Sequence, residues 1–340
     1  MTGPIEALGW NGRWEALLAE CGPEAEPGRV LRHDGVAVTV RTPAGERSVP
    51  LRRGIDAPLV GDWIALDGDH IVAILDRTSL LRRRSAGGEG TQLLAANVDL
   101  VLLVCGLDRP VRTGRIQRGE ALAWDAGAVP VLVLTKADVA DDLPEVLATL
   151  EADHPGLDVL VTASKTGVGV AEVLERIAGH TSVLLGESGA GKSSLVNALL
   201  REEVADTGAV RENDSKGRHT TTNRQLHLLT GGGVVIDTPG IREVGLAGDE
   251  ESVEATFTDI DDLALECRFT DCGHTGEPGC AVAAAVEDGS LSPARLEDYR
   301  ELMAEAAAAA RRADEAARRT WERKGSKVAR AEQRRKGRTD

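Results

Sequence analysis

The run Gly186-Glu187-Ser188-Gly189-Ala190-Gly191-Lys192-Ser193 has the spacing G-x-x-x-x-G-K-S. That spacing can cradle phosphate. Glycines let successive backbone N–H groups turn toward an anion, and the helix that follows adds the positive end of its dipole. An apolar run, Ser182 to Leu185, precedes it and an amphipathic stretch, Ser194 to Leu200, follows. Residues Gly186 to Ser194 are therefore read as binding a nucleotide, with Lys192 reaching the β- and γ-phosphates and Ser193 ligating Mg²⁺. Forty-five residues after Lys192, Asp237-Thr-Pro-Gly240 closes the apolar run Val234 to Ile236. Asp237 can hold the metal through water, and Gly240 can sense the γ-phosphate.

A second constellation is Cys267, Cys272, His274 and Cys280, spaced C-x4-C-x-H-x5-C. Three thiolates and an imidazole suit tetrahedral Zn²⁺, and four protein ligands leave no open position, so the site reads as structural. The chain has five cysteines, an odd and clustered set that fits a metal better than a disulfide frame. Cys105 lies in an apolar run and reads as core.

The base must also be chosen. Thr135-Lys136-Ala137-Asp138 follows the apolar run Val129 to Leu134 and resembles the N-K-x-D element of GTPases. There the Asp carboxylate accepts from guanine N1 and N2, a pairing that adenine cannot match. Val161-Thr-Ala163-Ser164-Lys-Thr-Gly resembles the loop that contacts guanine O6. Most GTPases run phosphate loop, D-x-x-G, N-K-x-D. Here the base-reading segments come first and D-x-x-G last, the order of a circularly permuted GTPase. An ATPase or kinase reading is disfavoured by Asp138.

These loops need a scaffold. The runs at Val98, Val129, Val159, Ser182 and Val234 alternate with helical stretches, which predicts a doubly wound parallel sheet over 91–250. Residues 28–88 show short strands with period two (Val36, Val38, Val40) and a turn at Asp67-Gly-Asp, as in an OB-fold barrel. Residues 1–27 read as a flexible leader, although Trp10 and Trp14 have the spacing of one helical turn. A zinc-binding domain is expected over 251–302, its last helix opening at Ser292-Pro293. Residues 303–340 read as a basic helix and tail.

This combination resembles the ribosome-small-subunit-dependent GTPases called RsgA or YjeQ, over roughly residues 28–302. The resemblance is carried by Ala95-Ala-Asn-Val-Asp99, the phosphate loop, Gly217-Arg-His-Thr-Thr-Thr222 and Asp237-Thr-Pro-Gly-Ile-Arg-Glu243. Cys267-Arg-Phe-Thr-Asp-Cys272-Gly-His274 and Glu277-Pro-Gly-Cys280 carry it further. It implies GTP or GDP with Mg²⁺, one structural Zn²⁺ on the same four ligands, and GTP hydrolysis stimulated by the small (30S) ribosomal subunit late in its maturation, with 16S rRNA as partner. Two positions depart from the family pattern. Thr135 stands for the Asn that braces the phosphate loop, which bears on affinity more than on base choice. Ala163-Ser164 stands where Ser-Ala is common, and the O6 contact there is largely backbone.

Ile241 occupies the place where Ras-like enzymes carry a water-orienting Gln. Slow intrinsic hydrolysis is expected, with the missing group supplied by another loop or the partner. Residues 201–223 offer Thr221 or Thr220 for Mg²⁺ and His219 to orient or deprotonate water; His219 could equally bind RNA or shape the loop. The rival reading is an RNA-binding assembly factor that uses GTP as a switch ligand. Basic side chains of the barrel, among them Arg29, Arg32, Arg41 and Arg47, are candidate RNA contacts. The chain of 340 residues has a net charge of −15, but residues 311–340 carry +7 and the remainder −22, so an acidic partner would meet the tail. Only five Trp, two Phe and one Tyr argue against an aromatic stacking platform. A cytoplasmic, monomeric protein with no membrane segment and no signal peptide is expected.

Overall fold

The computed structural model describes residues 5–52, 57–84, 91–187, 189–200, 224–237, 256–269 and 272–304, with 253, 306–308 and 311. The chain divides into two compact units, Met1–Leu246 and Ala247–Asp340.

The first unit is built on a long sheet. Strands β8 (Leu100–Gly106), β9 (Val129–Thr135), β10 (Asp158–Val161), β11 (Thr181–Leu185) and β13 (Val234–Asp237) run parallel in the order β10-β9-β8-β11-β13. Their residues are continuously apolar because both faces are covered. Successive side chains of a strand point to opposite faces. Val101 and Leu103 of β8 thus join Leu132, Leu134, Val183 and Leu185 on one face. There they meet Ile116 and Leu122 of α2 (Thr113–Asp125) and Leu150 of α3 (Leu143–Asp153). Leu102 and Val104 join Val131, Val133 and Leu184 on the other. That face is closed by Val173 and Ile177 of α4 (Val170–Ile177) and by Leu195, Val196 and Leu199 of α5 (Lys192–Leu200).

The five strands β1 (Glu26–His33), β2 (Ala37–Thr42), β3 (Gly45–Pro50), β4 (Trp63–Asp67) and β5 (His70–Ile74) pair antiparallel in the order β3-β2-β1-β4-β5. Val30, Val38, Val40, Val49, Ile64 and Leu66 form their own core. These strands are not a separate body. β12 (Gln225–Leu228) pairs antiparallel with β13 and also meets β1, with Gln225 opposite Arg32, so one sheet runs through both regions. A hairpin of β6 (Leu80–Arg84) and β7 (Thr91–Ala96) follows the fifth strand.

Two expectations are corrected here. The leader is folded: Asn11 caps α1 (Gly12–Glu20) by accepting from the Arg13 N–H. Trp14 is buried, and Trp10 and Trp14 stand 4.9 and 6.1 Å from the Trp63 ring. An aromatic triple of this size buries enough apolar surface to order a short segment. Arg29 is no RNA contact. It is buried, stacks 4.8 Å from the Trp63 ring and donates to Thr181 Oγ1 at 3.1 Å. Burial pushes its pKa down to about 10, against the charges of Asp99 and Asp62.

The second unit holds α6 (Thr258–Ala264), α7 (Ala281–Glu287) and a helix α8 over 293–304. Pro293 occupies the first helical position, where its missing N–H costs nothing. Leu296, Tyr299 and Leu302 are buried along one stripe. Arg295, also buried, pairs with Asp259 at 2.6 Å and lies over Phe257. No helix among the described residues is long and apolar enough to cross a membrane.

Candidate functional site

Parallel strands deliver their C-terminal ends to one edge, where ligands of open α/β sheets bind. Five segments meet there: Gly106 to Arg109 after β8, Thr135 to Asp138 after β9, Thr162 to Gly169 after β10, Gly186 to Gly191 after β11, and Asp237 at the end of β13.

The phosphate loop leaves β11 at Gly186, whose φ is 155° and where a Cβ would sit 2.3 Å from the Val104 carbonyl oxygen. Only glycine lets the loop turn this close to β8. Helix α5 then opens at Lys192, so its N-terminus faces the loop. Lys192 Nζ donates to the Gly186 and Glu187 carbonyls, each at 2.6 Å. Ser193 and Ser194 lie in the first turn, half-buried. A bare backbone turn, a helix N-terminus and a lysine ammonium are the donor set that phosphate requires.

The segments expected to read the base are tied to this loop. Thr135, buried, donates its hydroxyl to the Ala190 carbonyl at 2.5 Å, with the Cys105 carbonyl at 3.3 Å. A hydroxyl thus supplies part of the brace expected of Asn. Lys136 takes a left-handed backbone, φ 61°, and its Nζ donates to the Gly189 carbonyl at 2.6 Å. Asp138 follows in a short 3-10 turn, Ala137–Val139, with its side chain exposed. The Ala137 N–H donates to the Thr162 carbonyl, and the Thr162 N–H to the Leu134 carbonyl, joining the segments that follow β9 and β10. Ala163 is buried, and the Ser164 hydroxyl oxygen is buried without a hydrogen-bond partner among the described residues.

Two residues that sequence reasoning passed over lie in the same place. Asp108 accepts from Lys136 Nζ at 2.7 Å, and Arg115 of α2 pairs with Glu187 of the phosphate loop. The one sequence signal of Asp108 is its position two residues beyond a buried parallel strand, and Arg115, in the first turn of α2, carries none. Asp237 ends β13 and is half-buried. Ser188, His219, Thr221, Gly240 and Ile241 lie outside the described residues.

In the second unit one ligand atom from each of Cys267, Cys272, His274 and Cys280 lies within 4.8 Å of all the others. The Cys267 and Cys280 Sγ atoms are 3.9 Å apart, and His274 Nδ1 is 3.6 and 3.5 Å from them. A tetrahedron with zinc bond lengths has edges of about 3.8 Å between sulfurs and about 3.6 Å from sulfur to nitrogen. The Cys267, His274 and Cys280 ligand atoms have the spacings of zinc ligands, and Cys272 lies beside them. The turn between ligands is set by Glu277, which accepts from the Gly273 and Thr275 N–H groups. Backbone hydrogen bonds, its own first, hold its carboxyl down to about 2. Cys280 also caps α7 by accepting from the Ala283 N–H, and Arg300 of α8 donates to the His274 carbonyl.

Comparison with known proteins agrees with this arrangement. The family model described as RsgA GTPase matches residues 74–247. A second model, ABC transporter, matches residues 174–335, a span that includes the phosphate-loop pattern. A small ribosomal subunit biogenesis GTPase RsgA from Streptomyces avermitilis is 43% identical, over 95% of this chain and 92% of its own. One from Vibrio parahaemolyticus is 41% identical, over 90% and 87%. Among solved structures, YjeQ from Thermotoga maritima superposes with a TM-score of 0.64 and 30% identity, over 83% of this chain and 98% of its own. YloQ, described as a circularly permuted GTPase, gives 0.61 and 27%, over 83% and 95%. The family model over half of the chain and relatives matched along nearly its full length place this protein in the RsgA family of circularly permuted GTPases.

Proposed function

We propose that this protein hydrolyses GTP slowly by itself and faster on the small ribosomal subunit, where it acts late in subunit maturation. The observation that carries the reading is the meeting of the Thr135–Asp138 loop with the phosphate loop, tied through Ala190 and Gly189. In this reading Asp138 selects guanine, with Ala163 and Ser164 beside the base. Residues Gly186 to Ser194 bind the phosphates, and Lys192 neutralises charge on the transferring group. Ser193, Thr221 and Asp237 would hold Mg²⁺, which would supply further charge neutralisation. Gly240 senses the γ-phosphate, and His219 orients the attacking water.

Cys267, Cys272, His274 and Cys280 hold one structural zinc, supported by the cluster's dimensions. The strand order β3-β2-β1-β4-β5 supports an OB-fold for the N-terminal strands. That fold and the basic 303–340 segment would contact 16S rRNA. We place the protein in the cytoplasm as a monomer.

The test is GTP turnover with and without small ribosomal subunits, with Lys192→Ala as the blank. Strong stimulation that vanishes in the variant supports a subunit-activated GTPase. Slow turnover with GTP still controlling subunit binding would replace it with an assembly factor that uses GTP as a switch, a reading that Ile241 favours.

A further inference from the structure

Thr135 has one hydroxyl proton to give, where an asparagine amide has two. The two loops it joins are tied a second time through Lys136. The Lys136 ammonium bridges the Gly189 carbonyl, at 2.6 Å, and the Asp108 carboxylate, at 2.7 Å. Asp108 belongs to none of the nucleotide-binding motifs. It lies two residues beyond the end of β8, the strand beside β11, and so beside the phosphate loop.

The approach is close by construction. A Cβ on Gly106 would lie 2.7 Å from Asp108 Oδ1, and 3.5 Å from both Ala190 Cα and Lys136 Cε. The hydrogen bond from Lys136, first among several causes, holds the Asp108 carboxyl below its ordinary value, so it is charged at neutral pH. An ammonium shared only between one carbonyl and water would exchange freely between them. A carboxylate on its far side fixes it over the carbonyl, because the charged acceptor is the stronger one.

We propose that Asp108 is a positioning residue for guanine nucleotide: by holding Lys136 on Gly189 it fixes the spacing of the base-reading and phosphate loops, and makes up for the donor that Thr135 lacks. The inference rests on the guanine-nucleotide reading of this edge. Lys136 and Asp108 side chains are about one-third exposed, so water competes for the pair and the effect is moderate.

The test is titration of the full-length protein with a fluorescent N-methylanthraniloyl-GDP, paired with steady-state GTP turnover. Asp108→Ala and the isosteric Asp108→Asn should each weaken GDP binding by about three- to tenfold, and raise KM for GTP more than they lower kcat. Asp108→Glu should recover most of the affinity. In a Thr135→Asn background, where the brace has two donors, Asp108→Ala should cost clearly less; a residue that only stabilised the fold would cost the same in both. Binding within twofold of the parent in Asp108→Ala and Asp108→Asn, with the parent binding normally, would overturn the inference alone. Equal cost in the two backgrounds would overturn the compensation for Thr135. Failure of the parent to bind the GDP probe would overturn the guanine-nucleotide reading and this inference with it.

Discussion

The Thr135 hydroxyl donates to the Ala190 carbonyl across 55 residues of chain, at 2.5 Å and out of reach of solvent. This contact joins the Thr135–Asp138 segment to the glycine-rich turn that follows β11. A Cβ on Gly191 would come within 3.0 Å of the same hydroxyl oxygen, so the two segments touch through bare backbone.

Thr135→Val keeps the shape and removes the donor. A lost buried hydrogen bond costs about 1 kcal/mol, or roughly fivefold in affinity. GDP binding measured by titration calorimetry should weaken by that factor, with the preference for GDP over ADP retained because Asp138, proposed to select guanine, is untouched. An unchanged affinity would show that the Thr135 contact does not set the loop.

Chelation should unfold the second unit and leave the first folded. Zinc on Cys267, Cys272, His274 and Cys280, as proposed, would tie the turn before α7 to the carbonyl that Arg300 of α8 holds. Metal content measured against pH should fall on acidification, because protons compete for the thiolates and the imidazole. Cys272→Ser should lower zinc content, and it should lower helix signal by circular dichroism. Retention of both would count against a structural metal.

Trp14→Ala should destabilise the first unit by about 3–5 kcal/mol, the usual cost of emptying a buried aromatic site. Urea unfolding gives the value, and Trp63 fluorescence should shift to the red as its cover is lost. A change below about 1 kcal/mol would mean that α1 contributes no packing of consequence.

His227, half-buried on β12, is held below its ordinary value of 6.5 by burial, with the charge of Asp237 opposing. The unfolded chain therefore takes up this proton first, and folding stability rises with pH wherever it does so. Stability should be level well above 6.5 and decline as the pH falls through 6.5 toward the lowered folded value. Urea midpoints between pH 8 and 5.5 should follow this course, and His227→Gln should flatten it. An unaltered slope in the variant would assign the pH dependence elsewhere.

The sequence by itself determined the patterns that depend on spacing along the chain. The glycine-rich turn before Lys192 and the cluster of Cys267, Cys272, His274 and Cys280 each lie within a short window, and so each is written locally, while the permuted order of the segments is read directly along the chain. The buried parallel strands were legible for a related reason, since a strand covered on both faces needs a continuous apolar run. The tertiary structure alone decided the rest. The polar, glycine-rich composition around α1 gave no hint that Trp14 would find Trp63, nor did the charge of Arg29 that it would lie under that ring. The pairing of Arg32 with Gln225, which merges barrel and sheet, depends on a register nearly 200 residues apart. Asp108 meets Lys136 only because two parallel strands end side by side. Which side chains face each other across such an edge is set by register and by the absence of a Cβ at Gly106, and neither leaves a periodic mark in the sequence.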